Sequence, residues 1–124
     1  MAYILTSYAE IIDKYTILLI KLEKISDVVK LENVQQELTM LLPTINDIVT
    51  HNIQHLCDEL KQINLALWEI EDSIRIKEKL SQFDNEFISL ARSVYITNDQ
   101  RANIKYKINQ LTFSPLIEEK SYSK

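Results

Sequence analysis

The sequence predicts an all-α fold: an elongated antiparallel helical bundle with two long helices and shorter N-terminal helices. Three observations carry this expectation. The 124 residues contain no glycine and only two prolines, Pro43 and Pro115. Without glycine, hairpins and left-handed turns lose their usual residue, which disfavours β architectures. Apolar residues recur at steps of three and four along most of the chain, the period of a helix with one packed face. Polar residues at capping spacing precede several of these runs.

The first helix opens at Ser7, with Glu10 three residues on in a capping box. Tyr8, Ile11, Tyr15, Leu18, Leu22 and Ile25 form its stripe. Ile12, Leu19 and Ile20 widen the stripe, so this helix is expected to pack on more than one side. Asp27 caps a second helix whose face is Leu31, Val34, Leu38 and Leu41, and Pro43 is expected to stop it. A third helix is read through Val49, Ile53, Leu56, Leu60, Ile63, Leu67, Ile70 and Ile74, a heptad-like seam of ~35 residues and ~50 Å. Asp84 caps the last helix, along which Phe87, Leu90, Val94 and Ile108 face inward. Capping-box spacing at Thr97–Gln100 raises a restart there, but the period persists through it, so one continuous helix is expected. Residues 1–112 then form a single helical domain, and 113–124 an extended or weakly ordered tail.

Composition bounds the function. A net charge of −4 and a pI near 5.2 disfavour broad nucleic-acid binding, which needs excess Lys and Arg. The lone Cys57 forms no intrachain disulfide and suits a reducing compartment. The segment MAYILTSYAE lacks a basic region and a long apolar run, and no stretch has the ~20 apolar residues of a membrane span. No membrane association and a cytoplasmic location are therefore expected. Absence of glycine removes phosphate-cradling and dinucleotide loops. No cofactor and no metal are expected.

The stretch LWEIEDSIR, Leu67–Arg75, places a tryptophan among three acids. On a wheel of 100° per residue, Glu69 and Asp72 point to solvent. Asn64, Trp68, Glu71, Arg75 and Glu78 share one flank of the apolar seam. On the last helix, Asn98, Arg101 and Lys105 interrupt the inward stripe. Charges at packed positions need partners. The expected answer is an interhelical polar layer joining Glu71, Arg75 and Glu78 to Asn98, Arg101 and Lys105. Asp13, turned toward Ile17 and Ile20, is expected to be partly buried, and Glu10 to pair with Lys14 on the surface.

Such a layer either fixes helix register or lines a pocket for an anionic ligand. Two metal readings are weaker. Glu69 and Asp72 give the E-x-x-D spacing of carboxylate-rich all-α pyrophosphatases, but no matching E-x-x-E precedes them. His51 and His55 are four apart, a Zn²⁺-compatible spacing, on a ridge opposite the apolar seam. Cys57, without a companion, reads as an inert thiol.

The segments SYAEIIDKYTILLIKLEKI (Ser7–Ile25), INLALWEIEDSIRIKEK (Ile63–Lys79) and FISLARSVYITNDQRANIKYKIN (Phe87–Asn109) resemble a bacterial domain family of unknown function. Its pattern is S-x-x-E-x-I-D-K-x-T-I-L, then N-x-x-L-W-x-I-E-D-x-I-R, then F-x-x-L-A-R-x-V-Y-x-x-N-D-x-R-A-x-x-K. The tail EEKSY, Glu118–Tyr122, also fits. The likeness covers most of the chain; Ala9 stands where the family has glycine. It implies no activity, but its pattern includes Asp13, Lys14, Thr16, Trp68, Glu71, Asp72, Arg75, Asn98, Asp99 and Arg101.

The expected function is therefore a non-enzymatic protein-interaction or scaffold module, with a protein partner or self-association. The alternative is a small all-α enzyme or binding protein for an anionic small molecule. Its candidate ligand-binding residues are Asp13, Lys14, Trp68, Glu71, Arg75, Glu78, Asn98, Arg101 and Lys105.

Overall fold

In the computed structural model, residues 1–50 and 52–122 are described. They contain four helices and no strand: α1 Tyr8–Lys24, α2 Val28–Ile48, α3 Gln54–Lys79 and α4 Asn85–Leu111. Three of the four starts have side-chain caps. Ser7 accepts from the Glu10 amide, Asp27 from Lys30 and Asp84 from Phe87, each satisfying an amide the helix leaves orphaned.

α1 is the central element and packs against each of the other three helices; α3 and α4 pack along each other, and α2 packs along α1. The main core joins Ala9 and Ile12 of α1 to Ile45 of α2, Leu56 and Leu60 of α3, and Ile104 and Ile108 of α4. A second cluster, Leu18 against Val34 and Leu38, glues α2 to α1. Ile12, Ile53, Leu60 and Ile108 are completely buried.

Two sequence expectations need correction. Pro43 does not end α2, which continues to Ile48. The residue sits on the exposed face, where the lost amide bond and displaced carbonyl are tolerated. The five residues beyond it bring Ile45 into the core, at 4% exposure, and that burial offsets part of the proline penalty. The long third helix is also shorter at its start, running 26 residues from Gln54. Val49 and Ile53 do face the core, Val49 as the C-cap of α2 and Ile53 from a turn in which its amide bonds the Thr50 carbonyl at 3.1 Å. Their apolar spacing reported burial, and burial does not require a helix. α4 passes through Thr97–Gln100 without interruption.

The glycine-free chain still uses left-handed helix ends. Ser81 and Phe113 have φ of 53° and 54°. After α3, the Gln82 amide bonds the Lys77 carbonyl at 2.9 Å and the Ser81 amide bonds Glu78 at 3.1 Å. After α4, Ser114 bonds Asn109 at 2.9 Å and Phe113 bonds Gln110 at 3.3 Å. Both are Schellman closures, normally occupied by glycine. Here a Cβ is held where glycine has none, at a cost of about 1–2 kcal/mol. Replacing Ser81 by glycine is expected to raise stability by roughly 1 kcal/mol, seen as a higher urea midpoint at unchanged slope; no gain would show that the turn is unstrained.

Candidate functional site

The polar layer is centred on α1. Asp13 is 1% exposed. Its Oδ1 accepts from Asn64 Nδ2 at 2.8 Å and from Arg101 Nε at 3.0 Å, and its Oδ2 accepts from Arg101 Nη2. Asn64 Nδ2 also reaches Thr16 Oγ1 at 2.8 Å, and that hydroxyl donates to the Asp13 carbonyl at 2.8 Å. One carboxylate thus ties α1, α3 and α4 together. Contact with Asp13 holds the Arg101 guanidinium still more firmly protonated, against the opposing effect of its own partial burial.

The partners differ from those expected. Arg101 and Lys105 pair with α1, not with Glu71 and Glu78: Lys105 Nζ lies 2.6 Å from Glu10 Oε2. Glu71 and Arg75 form an exposed i,i+4 pair at 3.5 Å, a contact worth ~0.2–0.5 kcal/mol. Glu78 is exposed. Lys14 is not paired with Glu10; it lies 3.9 Å from Glu37 of α2. The physical reason is that α1 lies over both long helices and its own acids reach the basic residues first.

One further cluster was not anticipated. The first amides of α1 are capped in trans by the end of α4 and the segment beyond it. Ala9 N–H donates to Asn109 Oδ1 at 2.9 Å and Tyr8 N–H to Ser114 Oγ at 3.1 Å. Glu118 receives the Ser7 hydroxyl at 2.6 Å and the Asn109 amide at 3.3 Å. Partial burial alone would raise the Glu118 carboxyl, but the Ser7 hydroxyl, its own backbone amide, Lys105 and Asn109 together hold it below its ordinary value. Asn109 had a readable signal, since it continues the polar run Arg101–Lys105 by four residues; Asn64 shared the Trp68 flank. Glu118 lies outside any helix and had no periodic signal.

Two concavities flank Arg101, which lines both. The first, about 430 Å³, is bounded by Ile17, Ile20, Trp68, Glu71 and Arg75. The second, about 290 Å³, is bounded by Glu10, Asn98, Lys105, Tyr106 and Glu118. No buried side-chain nitrogen or oxygen among the described residues lacks a hydrogen-bond partner. The layer is thus internally satisfied.

Among the described residues no group of three or more His, Cys, Asp or Glu could hold a metal ion. His51 lies outside the described residues, and His55 is exposed in the first turn of α3. Glu69 is bonded to Lys24 at 2.5 Å. Cys57 is buried, and burial pushes its thiol up to about 11, which suppresses the nucleophilic thiolate at neutral pH. No helix among the described residues is long and apolar enough to cross a membrane.

A family model describing a family of unknown function, DUF6165, matches residues 3–124. The chain belongs to that family. No curated protein matches it, and no solved structure matches it.

Two outcomes follow from this geometry. Asp13→Ala strands Arg101 and Asn64 and is expected to cost about 3–5 kcal/mol, whereas Asp13→Leu with Arg101→Leu recovers much of that loss; chemical denaturation measures both, and an equal loss in the double variant would contradict a pair-specific cost. For Glu118, a depressed carboxyl contributes stability that is complete above its unfolded value and fades as pH falls through the folded one. Amide exchange at Tyr8–Glu10, relative to intrinsic rates, should therefore rise as pH drops below 4.5. Glu118→Gln should show raised exchange already at neutral pH; a flat profile in the wild-type protein would show that Glu118 does not hold the start of α1.

Proposed function

We propose that this DUF6165 chain is a non-enzymatic helical interaction module that docks through the paired distal halves of α3 and α4. One observation carries the reading. From Leu65 to Asn103, between buried Asn64 and buried Ile104, no residue is buried. Yet this stretch carries Leu67, Trp68, Ile70, Ile74, Leu80, Phe83, Phe87, Leu90 and Val94. Ile76, Leu80, Phe83, Ile88, Tyr95 and Ile96 are 44–60% exposed. Two paired helices bury only one stripe each, and helices are stabilised mainly by tertiary packing of their apolar faces. An arm this apolar and this uncovered is what a docking element requires.

The internally satisfied polar layer supports the same reading, because its charges hold helices together. Anion binding beside Arg101 is the alternative, and it draws on Arg101 bordering both concavities. Asp13 weighs against it by already taking two of the guanidinium donors. Buried, protonated Cys57 suits a reducing compartment, and we place the module in the cytoplasm.

A photo-crosslinking residue at Phe83 or Tyr95, compared with one at exposed Glu32 of α2, tests the proposal in cells producing the chain. Protein adducts are expected at the two arm positions and not at Glu32. Arm positions that yield no more adduct than Glu32 would end the docking reading. A saturable change in Trp68 emission on adding inorganic phosphate would favour the alternative.

A further inference from the structure

We infer that the start of α1 and the end of α4 form a carboxylate-binding cradle that the chain's own tail occupies, and that an extended acidic peptide of another molecule takes the same seat when the tail lifts. The inference concerns the base of the bundle and is independent of the docking reading. Three contacts hold the tail, and in each the helical base donates and the tail accepts. The Ser7 hydroxyl donates to Glu118 Oε1 at 2.6 Å, Asn109 Nδ2 to Glu118 Oε2 at 3.3 Å and the Tyr8 amide to Ser114 Oγ at 3.1 Å. The donors are aimed by the base itself. Asn109 is 2% exposed, and its Oδ1 accepts the Ala9 amide at 2.9 Å. With Oδ1 turned to that amide, Nδ2 has to face the tail. Ser7 is fully buried, and its oxygen accepts the Glu10 amide at 3.2 Å, which leaves its proton for an acceptor on the tail. Lifting the tail therefore leaves three donors directed at one place.

The cradle favours an ionised occupant. Partial burial would raise the Glu118 carboxyl, yet the Ser7 hydroxyl, its own amide, Lys105 and Asn109 hold it below its ordinary value. Lys105 acts from α4 while paired with Glu10 at 2.6 Å. The tail is seated by these polar contacts and not by a core. From Pro115 to Tyr122 no residue is buried, and Leu116 and Ile117 are 43% and 44% exposed. Phe113, where the tail leaves α4, has φ of 54° and a ring that packs on nothing, so its backbone strain is returned only by the contacts beyond it. A segment with so few buried apolar contacts opens ahead of the rest of a fold. The seat adjoins the concavity that Asn109 and Glu118 both line, so solvent reaches it without parting the helices. Its occupant shows the chemistry it accepts: an extended chain with a carboxylate four residues after a hydroxyl. A peptide of this kind arriving from outside competes with a tail held at an effective concentration of about millimolar.

Glu118→Lys in the full chain sets a base near Lys105 and should lift the tail while the four helices stay packed. Amide exchange at Tyr8 is expected to rise by about tenfold, with that at buried Leu60 unchanged. A fluorescent peptide of sequence SPLIEEKSY, that of Ser114–Tyr122, should then bind this variant saturably by anisotropy and return Tyr8 to slow exchange. The wild-type chain should bind the peptide about tenfold more weakly, because its own tail competes. The same peptide with Glu118→Gln should also bind the variant about tenfold more weakly, having lost the charge that the cradle reads. Should Leu60 lose protection too, Glu118→Gln in the full chain replaces the lysine variant, with the same expectations. Unchanged exchange at Tyr8 would overturn the inference by showing that the carboxylate does not hold the tail. Fast exchange at Tyr8 without peptide binding would overturn it as well, and so would equal binding by wild type and variant or equal binding of the two peptides.

Discussion

Asp13 carries its charge into the middle of three helices, and that charge has to be met there. It is met by a two-point contact to Arg101 and by the Asn64 amide, with Thr16 closing the ring. Moving a carboxylate out of water costs several kcal/mol, and only good geometry returns it. The demand is therefore geometric. α1 must hold Asp13 at the height of Asn64 on α3 and Arg101 on α4, which leaves little freedom to slide. Hydrophobic contacts in the adjoining core, such as Ile12 with Leu60 and Ile108, are non-directional; the Asp13 contacts are directional.

The same logic recurs at the start of α1. A helix N-terminus buried against other elements leaves amides that water cannot reach. Ser7 covers one, and Asn109 and Ser114 cover two more from across the fold. That arrangement explains why the chain turns sharply after α4. Phe113 adopts a left-handed backbone although its ring is 90% exposed, and the turn delivers Ser114 to the Tyr8 amide. The strain at Phe113 persists because its neighbours are pinned on both sides.

Order is uneven along the long axis. The base is a closed four-helix packing with its charges paired inside. The distal arm has the apolar content of a core without the burial of one. This division gives the docking proposal its basis: the base satisfies its own buried polar groups, and the arm leaves its apolar groups without full burial. Trp68 and Arg101 border the same concavity, beside Glu71 and Arg75.

Helical class, the caps at Ser7, Asp27 and Asp84, and the inward faces of the helices were legible because each is a local property of composition, capping chemistry and period. Asp13 and Arg101 could also be singled out, since a charge on an apolar stripe stands out in one dimension. Their pairing could not be read. Glu71 and Glu78 lay on an equally suitable stripe, and only the placement of α1 over both long helices brought Asp13 and Glu10 to the bases first. Pro43, Val49 and Ile53 misled for a related reason: a proline penalty can be absorbed by burial further along, and apolar spacing reports burial at a helix end or in a turn as well as within a helix. Glu118 was invisible because it works outside any periodic element. The sequence by itself determined which segments are helical and which side chains turn inward, since those follow from neighbours within a few residues. Tertiary structure alone decided which charges meet, which amides are capped from a distance and how far along the arm the core extends, because these depend on distances between segments up to 111 residues apart in the chain.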